Sequence, residues 1–446
     1  MAENKMPDQR MLALDILLLT EDGAGFSSQL TEAALTKYDY LPAEQKGFIR
    51  RLCDGCVRER LYLDYCIDSI SKTKTRQMKK LIRVLLRMGA YQLLRMDDIP
   101  ASAAVNEAVK LARKRGFASL SGFVNGVLRN LDRRKAEILL PEKSSQREQY
   151  LSVKYSMPLW LVDEIEEGLG KKLKTESEKV FDALLQKRPL CMRLSERLDE
   201  NAKEKLLRDM QESGVEIRQH KKLANAYFLK NVRGIEQLPG YEEGAFYLQD
   251  SGSVMVVEKA GISAGDFVID VCAAPGGKAL HAADKLAAMA DGKAPGEVLA
   301  RDLSLEKVER IRENISRFGL SNIRSEVHDA TAFDPKLEGK ADVVLADLPC
   351  SGLGVLGRKP DIKYRLSPDQ IAELSFLQRD ILKTVSAYVK KGGILMYSTC
   401  TLSKTENEDN RDWILQNLPF TKEEEVKLLP GRDDSDGFYM LRMRRK

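Results

Sequence analysis

The chain has no long apolar segment. No run of apolar residues in its 446 positions approaches the roughly 20 that a membrane-spanning helix needs. Met1–Arg10 is charged and polar and lacks the hydrophobic region of a signal peptide, so we expect a cytoplasmic protein with no membrane partner. With 31% charged and 43% hydrophobic residues, the composition is typical of a soluble globular protein, and the length predicts about three domains.

Metal ligands and paired cysteines are also scarce. Histidine occurs three times, and the seven cysteines are an odd number in a chain without a secretion signal, which favours free thiols over a disulfide framework. Cys53 and Cys56 have CxxC spacing, but no second pair follows, so we predict no metal site. These two residues and Cys66 are expected to be small core residues of helices.

The first 140 residues show helical spacing of apolar residues and three groups of basic residues. Any one group is explained equally well by a solvated helix surface, but three groups in one segment favour contact with the phosphate backbone of a nucleic acid. The groups are Lys72, Lys74, Arg76, Lys79, Lys80, Arg83 and Arg87; Lys110, Arg113, Lys114 and Arg115; and Arg129, Arg133, Arg134 and Lys135.

From about residue 255 onward, strand and helix patterns alternate, which predicts a doubly wound parallel sheet. Its predicted strands are Val268–Val271, Val298–Ala300, Ile323–Val327, Ala341–Ala346 and Gly393–Ser398. Shorter strands and helices over residues 150–240 predict a small α+β unit. Because ligands bind at the carboxyl ends of parallel strands, the residues that follow each strand are the functional candidates.

The residues after the first of these strands form the most informative stretch of the chain. They belong to the string Asp270-Val271-Cys272-Ala273-Ala274-Pro275-Gly276-Gly277-Lys278. A strand, a small-residue turn and a helix start are typical of a cradle for a nucleotide-like ligand, because free N–H groups at the helix start point into the crevice. The string lacks the spacing of the dinucleotide glycine fingerprint, which disfavours NAD. The alternative is an ordinary strand-to-helix turn.

Aspartates follow the next three strands, at Asp302, Asp329 and Asp347. Asp302 is placed to accept hydrogen bonds from ribose hydroxyls, as the acidic residue of a Rossmann unit does. A single aspartate at a strand end is more often a turn or cap residue. Three in register after Asp270–Lys278 favour a cofactor site.

Two strands each deliver a thiol to the same crevice. Cys350 lies in Asp347-Leu348-Pro349-Cys350-Ser351-Gly352-Leu353-Gly354, and Cys400 lies in Ser398-Thr399-Cys400-Thr401. A thiolate in such a crevice can act as a nucleophile that bonds transiently to the substrate, which is covalent catalysis. Lys278 is a candidate source of the positive field that a reactive thiol needs. Spacing does not decide which thiol attacks, and either one alone is explained by a small buried cysteine.

Together these strings resemble those of the RNA cytosine-C5 methyltransferases. The resemblance implies S-adenosylmethionine as the cofactor, held by the loop Cys272–Lys278, with Asp329 at the adenine edge and Asp347 near the methionine end. It implies Cys400 as the nucleophile and Cys350 as the thiol that assists product release. Leu348 departs from the alanine that is common in the family.

Two further segments carry the same resemblance. Phe246–Ser251 is similar to the family's lead-in to the catalytic fold. Lys359-Pro360-Asp361-Ile362-Lys363 also matches, and its basic residues are expected to contact the RNA backbone, a mobile loop being the alternative.

The front of the chain resembles the NusB-like RNA-binding domain, most specifically at Phe123–Arg129. The implied organisation is multidomain: an all-α NusB-like bundle at 1–140, a small α+β subdomain at 150–240, and an α/β Rossmann-like SAM-dependent methyltransferase domain at 241–446. This combination is similar to the Sun/Fmu family, which implies methylation of C5 of a cytosine in 16S ribosomal RNA.

The alternatives within the class are another rRNA site or a tRNA. The rival from another class is a non-catalytic RNA-binding or antitermination factor, against which the intact Cys350 and Cys400 argue, since a binding protein needs neither. A base in such a crevice must leave its stack, which favours an accessible cytosine over one in a firm duplex.

Overall fold

The computed structural model describes residues 8–446, which form two compact units. The first comprises the chain up to Asp163 together with Arg358–Arg365, and the second comprises Glu164–Gly357 and Leu366–Lys446. No helix in the described range is long and apolar enough to cross a lipid bilayer. The division into domains at 1–140, 150–240 and 241–446 stays a prediction.

The first unit is a helical bundle around one apolar core. Gly89 allows close packing in it, since a Cβ at this position would lie 2.5 Å from Cδ1 of Leu128. Cys53, Cys56 and Cys66 are buried in this core, as predicted. The helices are α1 (Gln9–Glu21), α2 (Ser27–Lys37), α3 (Ala43–Arg58), α4 (Arg60–Ile70), α5 (Lys80–Arg95), α6 (Ala101–Lys114), α7 (Ser121–Arg134), α8 (Arg147–Lys154) and the start of α9 (Leu159–Leu173).

Two basic residues expected to contact RNA are instead buried within this unit. Arg87 is 5% exposed and donates hydrogen bonds to Asp64 and Glu21, so it is an internal ion-pair residue. Lys363 is 2% exposed, and its Nζ donates to the carbonyl of Arg58 at 2.6 Å. Burial, and then the Arg58 cation, lowers the pKa of Lys363 to about 7. The expectation that Lys363 grips the RNA backbone is therefore wrong, because its ammonium is used inside the protein.

The second unit contains a small antiparallel sheet of strand order β2-β3-β1-β4. Leu194, Met210 and Phe246 lie in the apolar core beneath it. The elements of this part are α10 (Ser177–Leu185), β1 (Leu190–Leu194), α11 (Glu200–Glu212), β2 (Glu216–Gln219), β3 (Ala226–Lys230), β4 (Phe246–Leu248) and α12 (Ser251–Lys259).

The larger sheet of this unit has seven strands in the order β10-β11-β9-β8-β5-β6-β7. Strands β5 to β9 are parallel, and β11 pairs antiparallel with both β9 and β10. Its elements are β5 (Phe267–Asp270), α13 (Gly277–Ala288), β6 (Glu297–Asp302), α14 (Leu305–Phe318), β7 (Ile323–Val327), β8 (Ala341–Asp347), α15 (Pro368–Ser386), β9 (Val389–Thr399), α16 (Glu408–Asn417), β10 (Phe420–Leu428) and β11 (Phe438–Arg445).

The predicted Rossmann-like fold is confirmed, and the antiparallel pair β10–β11 is an addition to the predicted parallel sheet. Strand β5 pairs with β6 on one side and β8 on the other, so the strand order reverses at β5. In open α/β sheets this reversal opens a crevice at the carboxyl ends of the strands. The residues that follow β5, β6 and β8 therefore face one site.

A buried carboxylate joins the small sheet to α13. Asp284 accepts hydrogen bonds from Nη1 of Arg193, Oγ of Ser195, the amide of Glu196 and Nε of Arg197, at 2.7 to 2.9 Å. Asp284 and Arg193 are both fully buried. Burial opposes ionisation of Asp284, but the Arg193 cation and these hydrogen bonds outweigh it and lower the pKa of the carboxyl.

We expect Asp284→Asn to lower the free energy of unfolding by about 3–5 kcal/mol, because the fully buried Arg193 loses its counter-charge. In the parent protein, this stabilisation is present above the unfolded-state pKa of about 3.9 and is lost as the pH falls through the lower folded-state value. Calorimetric unfolding between pH 3 and 7 measures both effects. The matched control is Asp209→Asn, whose carboxylate pairs with Lys205 on the exposed face of α11. An equal loss in both variants would contradict the role given to Asp284.

Candidate active site

The loop between β5 and α13 depends on two glycines. Gly276 has a φ of 107°, in the left-handed region that side chains rarely adopt. A Cβ on Gly277 would lie 3.0 Å from Cε1 of Tyr247, a contact tighter than side chains normally make. These residues let the backbone turn closely at the strand end and leave the start of α13 open toward a cavity.

That cavity has a volume of about 150 Å³. It unites most of the residues predicted to bind the cofactor and adds several from the segment that precedes α12. The lining residues are Tyr247, Leu248, Gln249, Asp250, Ser253, Asp270, Cys272, Ala273, Ala274, Pro275, Gly277, Lys278 and Asp347. The segment Phe246–Ser251, which resembles the family's lead-in to the catalytic fold, thus supplies residues of one wall of this cavity.

Asp270 is the most unusual group in this cavity. It is 1% exposed, and neither carboxylate oxygen has a hydrogen-bond partner of ordinary geometry in the described part of the chain. Burial raises the pKa of Asp270 to about 7, with Lys278 opposing the rise and Asp347 adding to it. A buried carboxylate without partners favours a ligand that brings a positive charge or a hydrogen-bond donor.

Lys278 connects the loop to the neighbouring strand ends. Its Nζ lies 2.6 Å from Oδ2 of Asp347, whose Oδ1 accepts from the hydroxyl of Ser398 at 2.7 Å. Burial disfavours the Lys278 cation, but the carboxylates of Asp347 and Asp270 outweigh it and raise the pKa of Lys278. The lysine therefore carries its charge at neutral pH and places a positive field beside the ends of β8 and β9.

The two other predicted aspartates do not line this cavity. Asp302 is 5% exposed, and its oxygens accept from the amides of Ala274 (2.9 Å) and Leu303 (2.8 Å). Its Oδ1 also forms an ion pair with Nζ of Lys307 at 3.0 Å. It therefore holds the cofactor-loop backbone against the end of β6. Asp329 is exposed and accepts from the amide and hydroxyl of Thr331, which lower the pKa of its carboxyl. Its side chain thus stabilises a turn, which is the common role of an aspartate at a strand end and the alternative to contact with the cofactor.

The two candidate thiols lie together. Sγ of Cys350 is 3.4 Å from Sγ of Cys400, and both residues are half-buried. The loop after β8 is held against the end of β9, because the amide of Gly354 donates to the carbonyl of Cys400 at 3.0 Å. A Cβ on Gly354 would lie 2.0 Å from the carbonyl oxygen of Gly437, so only glycine allows this approach.

A fully buried carboxylate fastens the two cysteine loops. Oε1 of Glu406 accepts from the amide of Ser351 (2.8 Å) and from Nε2 of Gln378 (3.0 Å), and Oε2 accepts from the Ser351 hydroxyl. That hydroxyl also lies 2.6 Å from Oγ1 of Thr401. Ser351 and Thr401 directly follow the two cysteines, so Glu406 positions both thiols.

The contact between the two thiols affects the ionisation of Cys350. The bond to Cys400 is the largest cause that raises the pKa of Cys350 well above its usual value, followed by burial and by the charges of Glu406 and Asp347. Either sulfur of the pair can be the hydrogen-bond donor. Burial also raises the pKa of Cys272, so this thiol is an inert part of the cavity wall.

Sequence reasoning missed Asp270 and Glu406 as site residues. Asp270 carried a signal, since it ends a strand as the other candidate aspartates do. Glu406 carried none, because its partners Ser351 and Gln378 are distant along the chain and only the folded sheet brings them together.

One cluster in the described residues has the composition of a metal site. It consists of Glu196, Glu258 and His281. Nζ of Lys285 lies 2.9 Å from Glu258 and 3.8 Å from Glu196, so an ammonium already supplies the positive charge there. The cluster is explained as an ion-pair network.

The chemistry of the cavity fits S-adenosylmethionine, which carries a sulfonium and an ammonium. Three carboxylates, Asp250, Asp270 and Asp347, face one lysine in the cavity wall, so a cationic ligand is favoured. A Rossmann-like sheet with this loop after β5 and this acidic cavity defines the class of SAM-dependent methyltransferases.

Comparisons with known proteins place the chain within that class. Residues 261–444 match the model for "16S rRNA methyltransferase RsmB/F", and residues 7–133 match the NusB family. The chain is 31% identical to the probable ribosomal RNA small subunit methyltransferase B of Bacillus subtilis (strain 168), over 99% of this chain and 100% of that protein. A protein of the same name from Synechocystis is also 31% identical, with the same coverage. The chain belongs to the ribosomal RNA small subunit methyltransferase B family.

Solved structures show the same fold. PH0851 aligns over 99% of both chains with a TM-score of 0.79 at 23% identity. NSun6 from Pyrococcus horikoshii with SFG covers 63% of this chain and 97% of its own, with a TM-score of 0.54 at 21% identity. The predicted family, the fold class and S-adenosylmethionine as cofactor are confirmed.

The raised pKa of Asp270 predicts a pH-dependent affinity for S-adenosylmethionine. Below about pH 7 the carboxyl is protonated and attracts a cation weakly, so affinity should rise between about pH 6 and pH 8. Asp270→Asn removes this titration, and its affinity should be lower at pH 8 and less dependent on pH. Isothermal titration calorimetry at each pH gives the affinity of both proteins. The ligand's own ionisation affects both equally, so it cancels when the two pH profiles are compared. Parallel curves would contradict the role of Asp270.

The same group has the opposite effect on stability. Between the unfolded-state pKa of about 3.9 and the folded-state value of about 7, the folded chain holds a proton that the unfolded chain has lost. The contribution of Asp270 to the stability of the cofactor-free protein therefore falls as the pH rises through this range. This fall in stability with rising pH should be absent when the unfolding of Asp270→Asn is measured by calorimetry.

Proposed function

We propose that this protein transfers a methyl group to C5 of a cytosine in 16S ribosomal RNA through a covalent bond between Cys400 and C6 of the base. The observation that carries the proposal is the pair of thiols 3.4 Å apart at the ends of β8 and β9. The names of the family model and of the Bacillus subtilis relative support small-subunit rRNA as the substrate class.

Cys400 acts as the nucleophile. Cytosine C5 is too poor a nucleophile to take a methyl group directly, and addition of the Cys400 thiolate to C6 breaks the C5–C6 double bond and moves electron density onto C5. S-adenosylmethionine, when bound, supplies an electrophilic methyl group. The division of roles follows the resemblance to the RNA cytosine-C5 methyltransferases. The raised pKa of Cys350, caused first by its contact with Cys400 and then by burial, agrees with it, because a thiol that keeps its proton is a poor attacking group.

Cys350 assists product release. After C5 has gained its methyl group, a base removes the proton on C5, the C5–H electron pair re-forms the ring double bond, and the Cys400–C6 bond breaks with its electron pair returning to the Cys400 sulfur as thiolate. Cys350 lies beside Cys400 and is held there by the Glu406 network. Lys278 is held by Asp347 and places a cation near both loops, which favours the thiolate.

The target cytosine must turn out of its stack to reach a half-buried thiol. A loop or another accessible cytosine suits this better than a base in a firm duplex. A tRNA or another rRNA site is the alternative within this chemistry. A non-catalytic RNA-binding factor is disfavoured because it has no use for two thiols held together after the ends of β8 and β9, where Asp347 borders the cofactor cavity.

The test of this function is transfer of tritiated methyl from S-adenosylmethionine to protein-free 16S rRNA. The parent protein should label the RNA at cytosine C5. Cys400→Ala should lose at least about 10³-fold in rate, since the covalent route is removed. Cys53→Ala, in the core of the helical unit, is the control for cysteine replacement. No labelling by the parent protein, while RNA binding persists, would favour the binding factor.

The helper role of Cys350 has a distinct signature. Cys350→Ala should accumulate a protein–RNA adduct that survives denaturing electrophoresis, because attack proceeds while release is impaired. Cys350→Ala/Cys400→Ala should form no adduct. An adduct with Cys400→Ala and none with Cys350→Ala would reverse the two assignments.

A further inference from the structure

A second cavity, of about 350 Å³, lies within the helical unit. It is formed by α1, α3, the start of α4, α5 and the segment Arg358–Arg365. This segment folds with the bundle although it lies between β8 and β9 along the chain. Leu17, Val57 and Val84 supply apolar walls. The polar groups that line it include a buried carboxylate and a guanidinium whose hydrogen-bonding capacity is not satisfied by the protein.

The carboxylate belongs to Asp361, which is 2% exposed. Its Oδ2 accepts from the amide of Ser27, the first residue of α2, at 2.8 Å. Its Oδ1 is buried and has no hydrogen-bond partner among residues 8–446. An unpartnered carboxylate oxygen in the interior is costly, and a ligand that donates a hydrogen bond to it removes that cost.

The guanidinium belongs to Arg60, which lies over the ring of Tyr364 at 4.9 Å from its centre. Its nearest carboxylate is Glu21, at 4.0 Å, and Glu21 is already engaged by Arg83 and Arg87. Burial, and then the Arg87 cation, lowers the pKa of Arg60. Within the described chain, the guanidinium of Arg60 makes no hydrogen bond, so its donors are available to a ligand in the cavity.

We propose that this cavity binds an unstacked nucleobase of the RNA substrate that carries an exocyclic amino group beside a ring acceptor. Oδ1 of Asp361 accepts from the amino group, Arg60 donates to the acceptor, and the Tyr364 ring and apolar walls contact the base. The inference rests on the proposed action on RNA.

The donor and acceptor pattern distinguishes among bases. Carboxylates pair with exocyclic amino groups, as on adenine and cytosine. Uracil has no amino group, and its ring N–H is flanked by two carbonyl oxygens that a carboxylate repels. The cavity should therefore favour adenine over uracil.

The experiment uses the full chain without cofactor and fluorescein-labelled single-stranded RNA hexamers of adenine or uracil. Cytosine is left out because the catalytic site is expected to bind it. Fluorescence anisotropy should show that the parent protein binds the adenine hexamer about tenfold more tightly, which one charge-assisted hydrogen bond can supply. Equal affinities would overturn the proposal.

Asp361→Asn is the decisive variant. Its amide oxygen can still accept from Ser27, which leaves an N–H donor facing the cavity in place of Oδ1. The preference for adenine should disappear or invert toward uracil, whose carbonyls accept from that donor. Asp22→Asn is the matched control, since Asp22 also lines the cavity but pairs with Lys80. An unchanged preference in Asp361→Asn, or its loss in Asp22→Asn as well, would overturn the proposal.

Two further measurements keep the test independent of folding and of catalysis. Arg60→Gln removes a guanidinium that makes no hydrogen bond in the protein, so it should fold normally and weaken binding of the adenine hexamer several-fold. AMP that displaces the hexamer at equal concentration would place a free nucleotide in the cavity and overturn the RNA assignment. Because affinity is read without methyl transfer, a failure of the cytosine chemistry would leave these results unaffected.

Discussion

The register between β8 and β9 is the constraint on which the catalytic geometry depends. Parallel pairing sets Asp347 opposite Ser398, so the loops that carry Cys350 and Cys400 begin at the same edge of the sheet. Glu406 then accepts hydrogen bonds from the residue after Cys350, whose hydroxyl contacts the residue after Cys400. A shift of one residue in either strand would point the strand ends to opposite faces and separate the sulfurs.

Charge in the cofactor cavity follows from the same strand ends. The chain concentrates carboxylates where β5 and β8 end and balances them with Lys278 alone among the cavity's lining residues. Asp347 holds that lysine, while Asp270 has no such partner and takes up a proton instead. The site is thus electrostatically incomplete until a cation enters, and the fold has placed its least satisfied group where the cofactor binds.

The segment Arg358–Arg365 changes how the helical unit is understood. Its Lys363 donates to a backbone carbonyl, and its Asp361 caps α2. Arg87, the last residue of the first basic group (Lys72 to Arg87), is likewise buried. The large number of basic residues was expected to indicate an RNA-binding surface, but several of these residues form internal ion pairs or hydrogen bonds that stabilise the bundle. What distinguishes a binding group here is an unsatisfied hydrogen-bonding atom in a cavity, as at Asp361 and Arg60.

Local patterns in the sequence determined the strand-to-helix alternation, the small-residue turn at Asp270–Lys278, and the two cysteine strings, because each of these depends on a few adjacent residues. They also carried the family resemblance and hence the cofactor. Tertiary structure alone decided that Glu406 fastens both thiols, that Asp329 is exposed, that Lys363 is buried, and that Asp361 and Arg60 share a cavity. These outcomes depend on groups far apart in the chain, whose burial and hydrogen bonding exist only after the strands and helices have packed.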